Sequence, residues 1–347
     1  MKFLCIGDVH IKTTNLDYID LLQRQVEQMA QEVAPDYIVI LGDVLHHHER
    51  VHTLALNRAY ALVRALGEYA PVYILVGNHD YIQNNQFLTE NHWMNGMKQW
   101  DRVTVVDRVT FIGDVAALVP YVPPGRFVEA LGAAERWSAR ALIFAHQEFR
   151  GAKMRAITSA VGDEWAEDWP QVISGHIHGR QKVGPNILYV GASIPSFTES
   201  APTSVTVCSV GPGRGDLHFA EKPLVFPRHH PIETNIEDIV EVAAQLTPSA
   251  MNKYCLILRT SLFNYRAFKM TADYEALVAR GFKISFYPRA NDKAVAPARA
   301  QNFTQLLYAN ILDKMDPFLY CAATRVLEDR ALSEDDVLLI KTSHSLK

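Results

Sequence analysis

Short aliphatic runs alternate with longer amphipathic segments in the N-terminal part of the chain. Residues 2–7, 36–42 and 71–77 are rich in β-branched and aliphatic side chains, and each run has the length of a buried strand. Residues 18–33 and 53–69 instead place apolar side chains at helical spacing. This strand–helix alternation predicts right-handed βαβ units and a sheet that is covered on both faces.

Further along the chain the apolar runs become short and closely spaced. These runs predict strands within residues 108–122, 140–146, 170–176, 186–192, 203–210 and 216–222. Close spacing with few helical segments between the runs predicts a second, more antiparallel sheet that packs against the first. The fold class predicted for this part of the chain is therefore α/β.

A smaller domain is predicted after residue 232. Residues 223–232 carry three prolines and little periodicity, and we interpret them as a linker between domains 1–222 and 233–347. Thr234 and Glu237 have the spacing of a capping box at the start of a helix. The other elements expected in the second domain are strands 253–260 and 282–288 and helices 272–281 and 298–315.

Composition limits the class of protein. With 347 residues, 48% hydrophobic and 21% charged, the chain is an ordinary globular protein. Its formal net charge of −4 excludes a globally basic, histone-like protein, although it leaves room for local basic patches. No apolar run reaches the roughly 18 residues of a membrane span. The four cysteines, Cys5, Cys208, Cys255 and Cys321, lie far apart, and we expect a soluble, cytoplasmic protein (in the host cytoplasm if it is viral).

Candidate metal ligands follow five of the predicted strands. The donors are Asp8, His10, Asp43, Asn78, His146, His176 and His178. Binding sites in α/β sheets lie outside the carboxyl ends of the strands, so these side chains can converge. Oxygen and imidazole donors together favour Mn²⁺, Fe²⁺ or Zn²⁺, and seven ligands suit two ions bridged by one carboxylate. Any single histidine is more often a surface or core residue, but five motifs in this order favour a metal site.

The motif series resembles that of the calcineurin-like metallophosphoesterases. It reads DxH from Asp8, GD at Asp43, GNHD from Gly77, a histidine at His146 and GHxH from Gly175, within about residues 1–220. The resemblance implies a four-layer αββα sandwich of two packed mixed sheets flanked by helices. It also implies one metal ion at Asp8, His10, Asp43 and His178, and a second at Asp43, Asn78, His146 and His176, with Asp43 as the bridge.

Finer features resemble the SbcD-type DNA-repair nucleases within this family. The chain lacks the Asp-Arg pair after GD and the GNHE of protein phosphatases, and its GDVLH is similar to the SbcD version. A later segment matches the one that follows GHxH in SbcD, at Gly191, Pro195, Ser196, Phe197 and Glu199, with Ala192 in place of the usual serine. Residues 146–151, HQEFRG, resemble the phage recombination endonuclease subunits of this group.

The resemblance implies a Mn²⁺-dependent DNA exonuclease and endonuclease. An SbcC-like ATPase of the SMC type would be its partner, the protein would be a homodimer, and the C-terminal domain would cap the nuclease and grip DNA. The competing hypothesis is a metallophosphodiesterase that acts on a small molecule. A third, a scaffold that has lost its chemistry, is disfavoured because no ligand of the series is missing.

Two histidines outside the ligand set are candidates for proton transfer and substrate contact. His79 is adjacent to a ligand but is not itself one of the seven ligands, so it is free to protonate the leaving oxygen. An ordinary imidazole pKa near 6.5 suits that task. His46 orients His79 or contacts the phosphate, as the resemblance implies. No role is predicted for His47, His48 and His52, which we interpret as solvated loop residues.

Basic and aromatic residues near the ligand loops allow two interpretations each. The basic residues Arg150, Lys153, Arg155, Arg180 and Lys182 can follow DNA phosphates or be ordinary surface charges. The aromatic residues Tyr81, Phe87, Trp93 and Trp100 can stack on an unwound base, but for most of them core packing is the favoured interpretation.

Overall fold

The computed structural model describes residues 1–48, 50–132, 137–154, 157–195, 202–211, 213 and 216–287. The chain divides into two compact units, Met1–Phe226 and Pro227–Lys347. The division falls within the segment 223–232 that we interpreted as a linker. Part of that segment differs from the interpretation, because residues 228–232 lie in a strand.

The described residues of the first unit form fourteen strands, some of them very short. In chain order they are β1 (Lys2–Ile6), β2 (Tyr37–Ile40), β3 (Val72–Leu75), β4 (Val103–Val106), β5 (Thr110–Ile112), β6 (Ala116–Val119), β7 (Leu142–Ala145), β8 (Lys153–Met154), β9 (Ile157–Thr158), β10 (Gln171–Ser174), β11 (Gln181–Val183), β12 (Ile187–Tyr189), β13 (Ser204–Val210) and β14 (Leu217–Pro223). Its helices are α1 (Leu16–Val33), α2 (Thr53–Gly67) and α3 (Phe127–Gly132), with 3₁₀ turns at Trp93–Gln99 and Trp137–Ala139.

Two six-stranded sheets form the body of the first unit. Their strand orders are β14-β13-β1-β2-β3-β4 and β11-β12-β10-β7-β6-β5. In each sheet the four inner strands include a parallel core, β1-β2-β3 in one and β10-β7-β6 in the other. The carboxyl ends of these parallel strands therefore share one edge of their sheet, which is where the candidate ligands follow.

The sheets pack face to face between two layers of helix. Alternate residues of β1 point to opposite sides, as the pleat requires: Phe3 and Cys5 lie between the sheets, while Leu4 and Ile6 face α1 and α2. The outer face of the second sheet packs on Phe127 of α3. This arrangement is the four-layer αββα sandwich, and the predicted fold class is confirmed.

The prediction of a more antiparallel second sheet was wrong. Strands β13 and β14 belong to the first sheet, where β13 pairs antiparallel with β1 in the register Lys2↔Ser209. Each large sheet consequently holds three parallel and two antiparallel pairings. Strand spacing along the chain reports local chain reversals, whereas the partner of β13 is decided by burial of its apolar face against a strand some two hundred residues away.

The second unit is a small α/β unit with a parallel sheet. Its elements are β15 (Arg228–Thr234), α4 (Ile239–Ala244), β16 (Asn252–Arg259), α5 (Leu262–Phe268), α6 (Ala272–Ala279) and β17 (Lys283–Tyr287), with the sheet order β15-β16-β17. Leu256, Leu258, Ile239, Phe268 and Leu277 form its core. The helix predicted over residues 298–315 lies outside the described residues.

Two further details concern helices. The capping-box prediction was wrong, because Thr234 ends β15, paired with Leu258, and α4 begins only after Asp238. Across the ranges that the structure describes, no helix combines the length and apolar character needed to cross a bilayer.

Candidate metal centre

The seven predicted metal ligands all follow carboxyl ends of parallel strands and come together in the first unit. Asp8 and His10 follow β1, and Asp43 and Asn78 follow the neighbouring strands β2 and β3. In the second sheet, the ligand after β7 is His146, and those after β10 are His176 and His178. Loops from both sheets therefore supply one cluster of donors, as expected for a site outside the carboxyl ends of the strands.

One part of the cluster consists of Asp8, His10 and His178. The Nε2 atoms of His10 and His178 approach to 2.8 Å. The Asp8 Oδ2 atom lies 4.0 Å from the former nitrogen and 3.7 Å from the latter. These three residues can hold one metal ion, because their donor atoms all point into the same small space.

The other part consists of Asp43, Asn78, His146 and His176. The Asn78 Oδ1 atom lies 3.0 Å from His146 Nε2 and 2.8 Å from His176 Nδ1. Asp43 faces both parts, with Oδ1 at 3.3 Å from His146 Nε2 and Oδ2 at 3.6 Å from His10 Nε2. Its position between the two sets is the one that a bridging carboxylate requires.

The arrangement of the donor atoms suits a pair of bound cations better than it suits hydrogen bonds among the donors themselves. Asp8 Oδ2, the oxygen that faces His10 and His178, is buried and has no hydrogen-bond partner among the described residues. The His146 Nδ1 donates to the Leu41 carbonyl at 2.6 Å, which turns its Nε2 toward Asp43 and Asn78. Such a second hydrogen bond is how proteins orient a ligating imidazole. An unpaired carboxylate oxygen among inward-facing imidazole nitrogens is the chemistry of a divalent metal site.

Backbone strain is concentrated at the ligands. His10, Asp43 and His176 have φ angles of 48°, 51° and 77°, in the left-handed region that side chains with a Cβ rarely adopt. Each such residue costs of order 1–3 kcal/mol, which surrounding structure must offset. The glycines beside the ligands also have a spatial reason, since a Cβ on Gly42 would lie 2.5 Å from His146 Nδ1, and one on Gly77 would collide with Asp43.

Burial and neighbouring charges shift the pKa values of three histidines in the cluster. Burial lowers the pKa values of His10 and His176 to about 3, so both imidazoles are neutral and able to ligate. Burial also acts to lower the pKa of His146, but the negative charges of Asp43 and Asp8 outweigh it and raise that pKa to about 9. Without a cation, the His146–Asp43 pair therefore holds a proton.

Asp80 is a site residue to which our sequence analysis assigned no role. Its carboxylate accepts backbone N–H groups from Val44 (3.1 Å), Leu45 (3.2 Å) and Gly77 (3.0 Å), and the Trp93 indole N–H at 2.9 Å. It thereby joins the loop that carries Asp43 to the loop that carries Asn78. The signal was present in the GNHD motif, whose last residue is neither a ligand nor exposed.

Comparison with known proteins identifies the family. The model of the calcineurin-like phosphoesterases matches residues 1–180, slightly more than half of the chain. The chain belongs to this family. It is therefore a metal-dependent phosphoesterase, a hydrolase of a family that uses divalent metal ions.

Two viral relatives and one solved structure illustrate the similarity. The chain is 39% identical to "Putative phosphoesterase 078R" of invertebrate iridescent virus 3, over 82% of this chain and 84% of that protein. It is 40% identical to "Putative phosphoesterase 244L" of invertebrate iridescent virus 6, over 77% of this chain and 97% of that protein. A dimetal phosphatase from Danio rerio aligns with a TM-score of 0.44 and 14% identity, over 64% of this chain and 99% of that one.

In this phosphoesterase His79 lies beside the ligands and is held through its backbone and its ring. Its N–H donates to Asp43 Oδ1 at 2.9 Å, and its Nδ1 donates to the carbonyl of His46 at 2.7 Å. His46 therefore contacts His79 twice, through its carbonyl and through its imidazole, which stacks on the His79 ring with the ring centroids 5.6 Å apart. The His46 ring lies 5.3 Å from the His10 ring, and its Nδ1 is buried without a partner in the described structure. Burial and the positive charge of Lys12 lower the pKa of His46 to about 4.

The remaining histidines of this loop have separate environments. His48 is half-buried, and its ring stacks on that of His79 at 4.5 Å, so the interpretation of His48 as a solvated loop residue was wrong. His47 is exposed. His52 is exposed and caps α2, because its Nδ1 accepts the N–H of Leu54 at 3.2 Å.

The candidate DNA-contacting basic residues differ in how they are engaged. Arg150 forms an ion pair with Glu164, and Arg180 pairs with Glu221 at 3.1 Å. Arg180 also donates to Thr206 Oγ1 at 2.7 Å, so it links the GHxH loop to the first sheet. Lys153 and Lys182 are exposed on β8 and β11, and Arg155 lies outside the described residues.

The four aromatic residues that follow the GNHD motif are engaged within the protein. Tyr81 is fully buried, and Trp93 and Trp100 pack against the core that α1 and α2 form on the first sheet. Phe87 lies under the Arg126 guanidinium at 3.6 Å. These contacts support core packing, the interpretation favoured for most of them, over base stacking.

Proposed function

We propose that this phosphoesterase is a Mn²⁺-dependent DNA nuclease that hydrolyses phosphodiester bonds. The observation that carries the proposal is an open metal centre with a positioned proton donor beside it. The side chain of His178 is 41% exposed, and His46 and His79 are half-buried at the same edge. Pockets for small molecules enclose most of their ligand's surface. An open centre suits a segment of a polymer.

The chain's own residues fit phosphodiester hydrolysis. When bound, a pair of dications supplies a water nucleophile at neutral pH and stabilises the charge that develops on phosphate. His79 lies outside the ligand set, and its Nδ1 is fixed by the His46 carbonyl, so its Nε2 is the atom that can carry a proton to the leaving oxygen. The neutral state of His10 and His176 keeps their lone pairs available as ligands.

The segment that resembles SbcD supports the nuclease assignment because it contacts the ligand loops directly. The N–H of Ala192 donates to the His178 carbonyl at 2.9 Å, and that of Ser193 donates to the Asp8 carbonyl at 3.1 Å. Gly191 has a φ of 81°, and a Cβ there would lie 3.0 Å from the His178 carbonyl. Ser196, Phe197 and Glu199 lie outside the described residues.

The choice of manganese rests on the donor set. Carboxylate and amide oxygens mixed with four imidazoles suit borderline first-row ions, and Mn²⁺ accepts oxygen ligands more readily than Zn²⁺ does. A cytoplasmic location is supported by Cys5, Cys208 and Cys255, all of which are free thiols. An SbcC-like ATPase partner, a homodimer and a DNA-gripping role for the second unit are further proposals, supported by the motif resemblance.

The test compares substrates and metals. Purified protein is incubated with end-labelled duplex DNA and Mn²⁺, Mg²⁺ or EDTA, and in parallel with a bis-aryl phosphate. We expect Mn²⁺-dependent degradation of DNA that falls about 10²–10³-fold in His79→Asn, since a positioned general acid contributes on that scale. The metal contents measured for the wild type and for His79→Asn should be equal. Inert DNA beside rapid hydrolysis of the bis-aryl phosphate would instead favour a phosphodiesterase that acts on small molecules.

A further inference from the structure

The histidine-rich loop and the segment after His10 enclose a small cavity beside the metal centre. Its volume is about 80 Å³, and we call it the loop cavity. Its polar lining is Lys12, Thr13, His47, Arg50 and His52, and its apolar lining is Ile11, Leu45, Val51 and Ala55. A water molecule occupies roughly 30 Å³ in the liquid, so the loop cavity has room for a small polar group.

The loop cavity is a direct continuation of two ligand loops. The N–H of Ile11 donates to the Val44 carbonyl at 2.8 Å, and that of His46 donates to the Ile11 carbonyl at 3.2 Å. The segments after His10 and after Asp43 therefore run side by side out of the metal centre. The loop cavity is therefore lined by residues that directly follow the candidate ligands His10 and Asp43 in the chain.

The charge of the loop cavity is positive. Among the described residues, neither the ammonium of Lys12 nor the guanidinium of Arg50 forms an ion pair or a hydrogen bond. Arg58, on the helix that follows, contrasts with them because it pairs with Asp20 at 2.8 Å. The charges of Lys12 and Arg50 are thus available to an anion.

We infer that the loop cavity binds a backbone phosphate of DNA adjacent to the phosphate at the metal centre. This inference rests on the proposed nuclease function. A DNA strand carries one phosphate per nucleotide, about 3.4 Å apart along the helix axis, whereas a small diester carries no second phosphate. Cations that contact such a phosphate position the strand without reading its sequence. The unassigned histidine-rich loop is then the part of the chain that favours a polymeric substrate.

The test removes the two cations and leaves the metal centre intact. The double variant Lys12→Gln, Arg50→Gln is compared with the wild type and with Arg24→Gln, which removes an exposed charge from α1. We measure kcat and KM on an oligonucleotide duplex over a range of salt concentrations, and on a bis-aryl phosphate. The substituted residues are not buried, and thermal unfolding verifies that the variants remain folded.

We expect the double variant to raise KM for DNA about tenfold, roughly threefold for each cation, with kcat nearly unchanged. The slope of log KM against log salt should fall by about 1.8, because each lost phosphate contact removes about 0.9. Hydrolysis of the bis-aryl phosphate should match the wild type, and Arg24→Gln should match it on both substrates.

The outcomes separate this inference from the function on which it rests. Wild-type protein that cleaves the bis-aryl phosphate but not DNA would overturn both. If all proteins cleave DNA with the same KM and salt slope, the loop cavity is not a phosphate subsite and the nuclease function stands. An equal loss on both substrates would likewise overturn the subsite, since it would place the two cations in the chemical step.

Discussion

At the scale of single residues, several members of the site have an unfavourable backbone conformation or a buried polar atom without a hydrogen bond. Three candidate ligands have a left-handed backbone, and Asp8 keeps a buried oxygen without a hydrogen bond. These states cost free energy in the metal-free protein, and they are the states in which donor atoms point inward. Cation binding would relieve the electrostatic part of that cost, so metal affinity and protonation of the site are linked.

This linkage predicts that Mn²⁺ affinity rises with pH. The pKa of His146 is raised to about 9, so below that value the ion-free His146–Asp43 pair holds a proton that the incoming ion must displace. Between pH 6 and pH 8 the affinity should increase by up to about tenfold per pH unit, with proton uptake by the buffer. Calorimetric titration in two buffers of different ionisation enthalpy measures both quantities. Affinity that is constant over this range would contradict the linkage.

The stacking of His48 on His79 predicts a second effect at this scale. Removing the ring in His48→Ala should lower kcat on a bis-aryl phosphate by about threefold to tenfold, because a stacked ring contributes roughly 0.5–1.5 kcal/mol to the orientation of its partner. The matched control is His47→Ala, which removes an exposed imidazole from the same loop. Equal activity of both variants would show that the His48 ring does not orient His79.

At the scale of elements, the strands supply the ligands and the loops need a separate device to hold them. Each ligand loop leaves a different strand, and the ladder hydrogen bonds end before the ligand. Beyond the ends of the strands, Asp80 connects two of these loops, because its carboxylate accepts N–H groups from the loops after β2 and β3. The two loops are thereby fixed relative to each other before any ion binds.

Asp80→Asn should therefore destabilise the first unit. An amide offers one acceptor oxygen and a donor in place of the second, so at least one buried N–H loses its partner. We expect the free energy of unfolding to fall by about 2–3 kcal/mol, measured by urea denaturation with EDTA present. Asp101→Asn, at an exposed position, serves as the control and should change stability by less than about 0.5 kcal/mol. Unchanged stability in Asp80→Asn would refute the role assigned to this carboxylate.

At the scale of the whole molecule, metal binding and stability should be coupled in one unit only. All seven candidate ligands lie in Met1–Phe226, and the second unit has a core of its own. An ion that binds the folded state alone, at about one hundred times its dissociation constant, adds roughly 2.7 kcal/mol.

Adding Mn²⁺ should accordingly raise the midpoint of thermal unfolding of the first unit by about 5–10 °C. Scanning calorimetry with Mn²⁺ and with EDTA measures this shift. Leu256→Ala, which removes a core side chain from the second unit, identifies that unit's own transition, and this transition should not respond to the ion. A shift confined to the transition that Leu256→Ala identifies would contradict the placement of the metal centre.

Much of the architecture could be predicted from local pattern. Continuous apolar runs predict β1, β2 and β3, and apolar residues at a period of 3.6 predict α1 and α2, because the pattern already marks the side chains that each element buries. The candidate ligands were predictable as well, because their residue types follow strands whose ends meet at one edge. That these residues bind two ions stays a prediction.

Other features depend on contacts between residues far apart in the chain, which periodicity cannot express. The placement of β13 and β14 in the first sheet, the end of β15 at Thr234 and the bonds to Asp80 are decided by which groups lie nearby after folding. The same holds for His46, whose carbonyl accepts a hydrogen bond from His79 Nδ1 and whose imidazole stacks on the His79 ring. Sequence by itself determined the elements and the chemistry of the donors, because both are local properties of side chains. Only the tertiary structure decided the partners, because a buried polar group or strand edge takes whichever complementary group the packing brings to it.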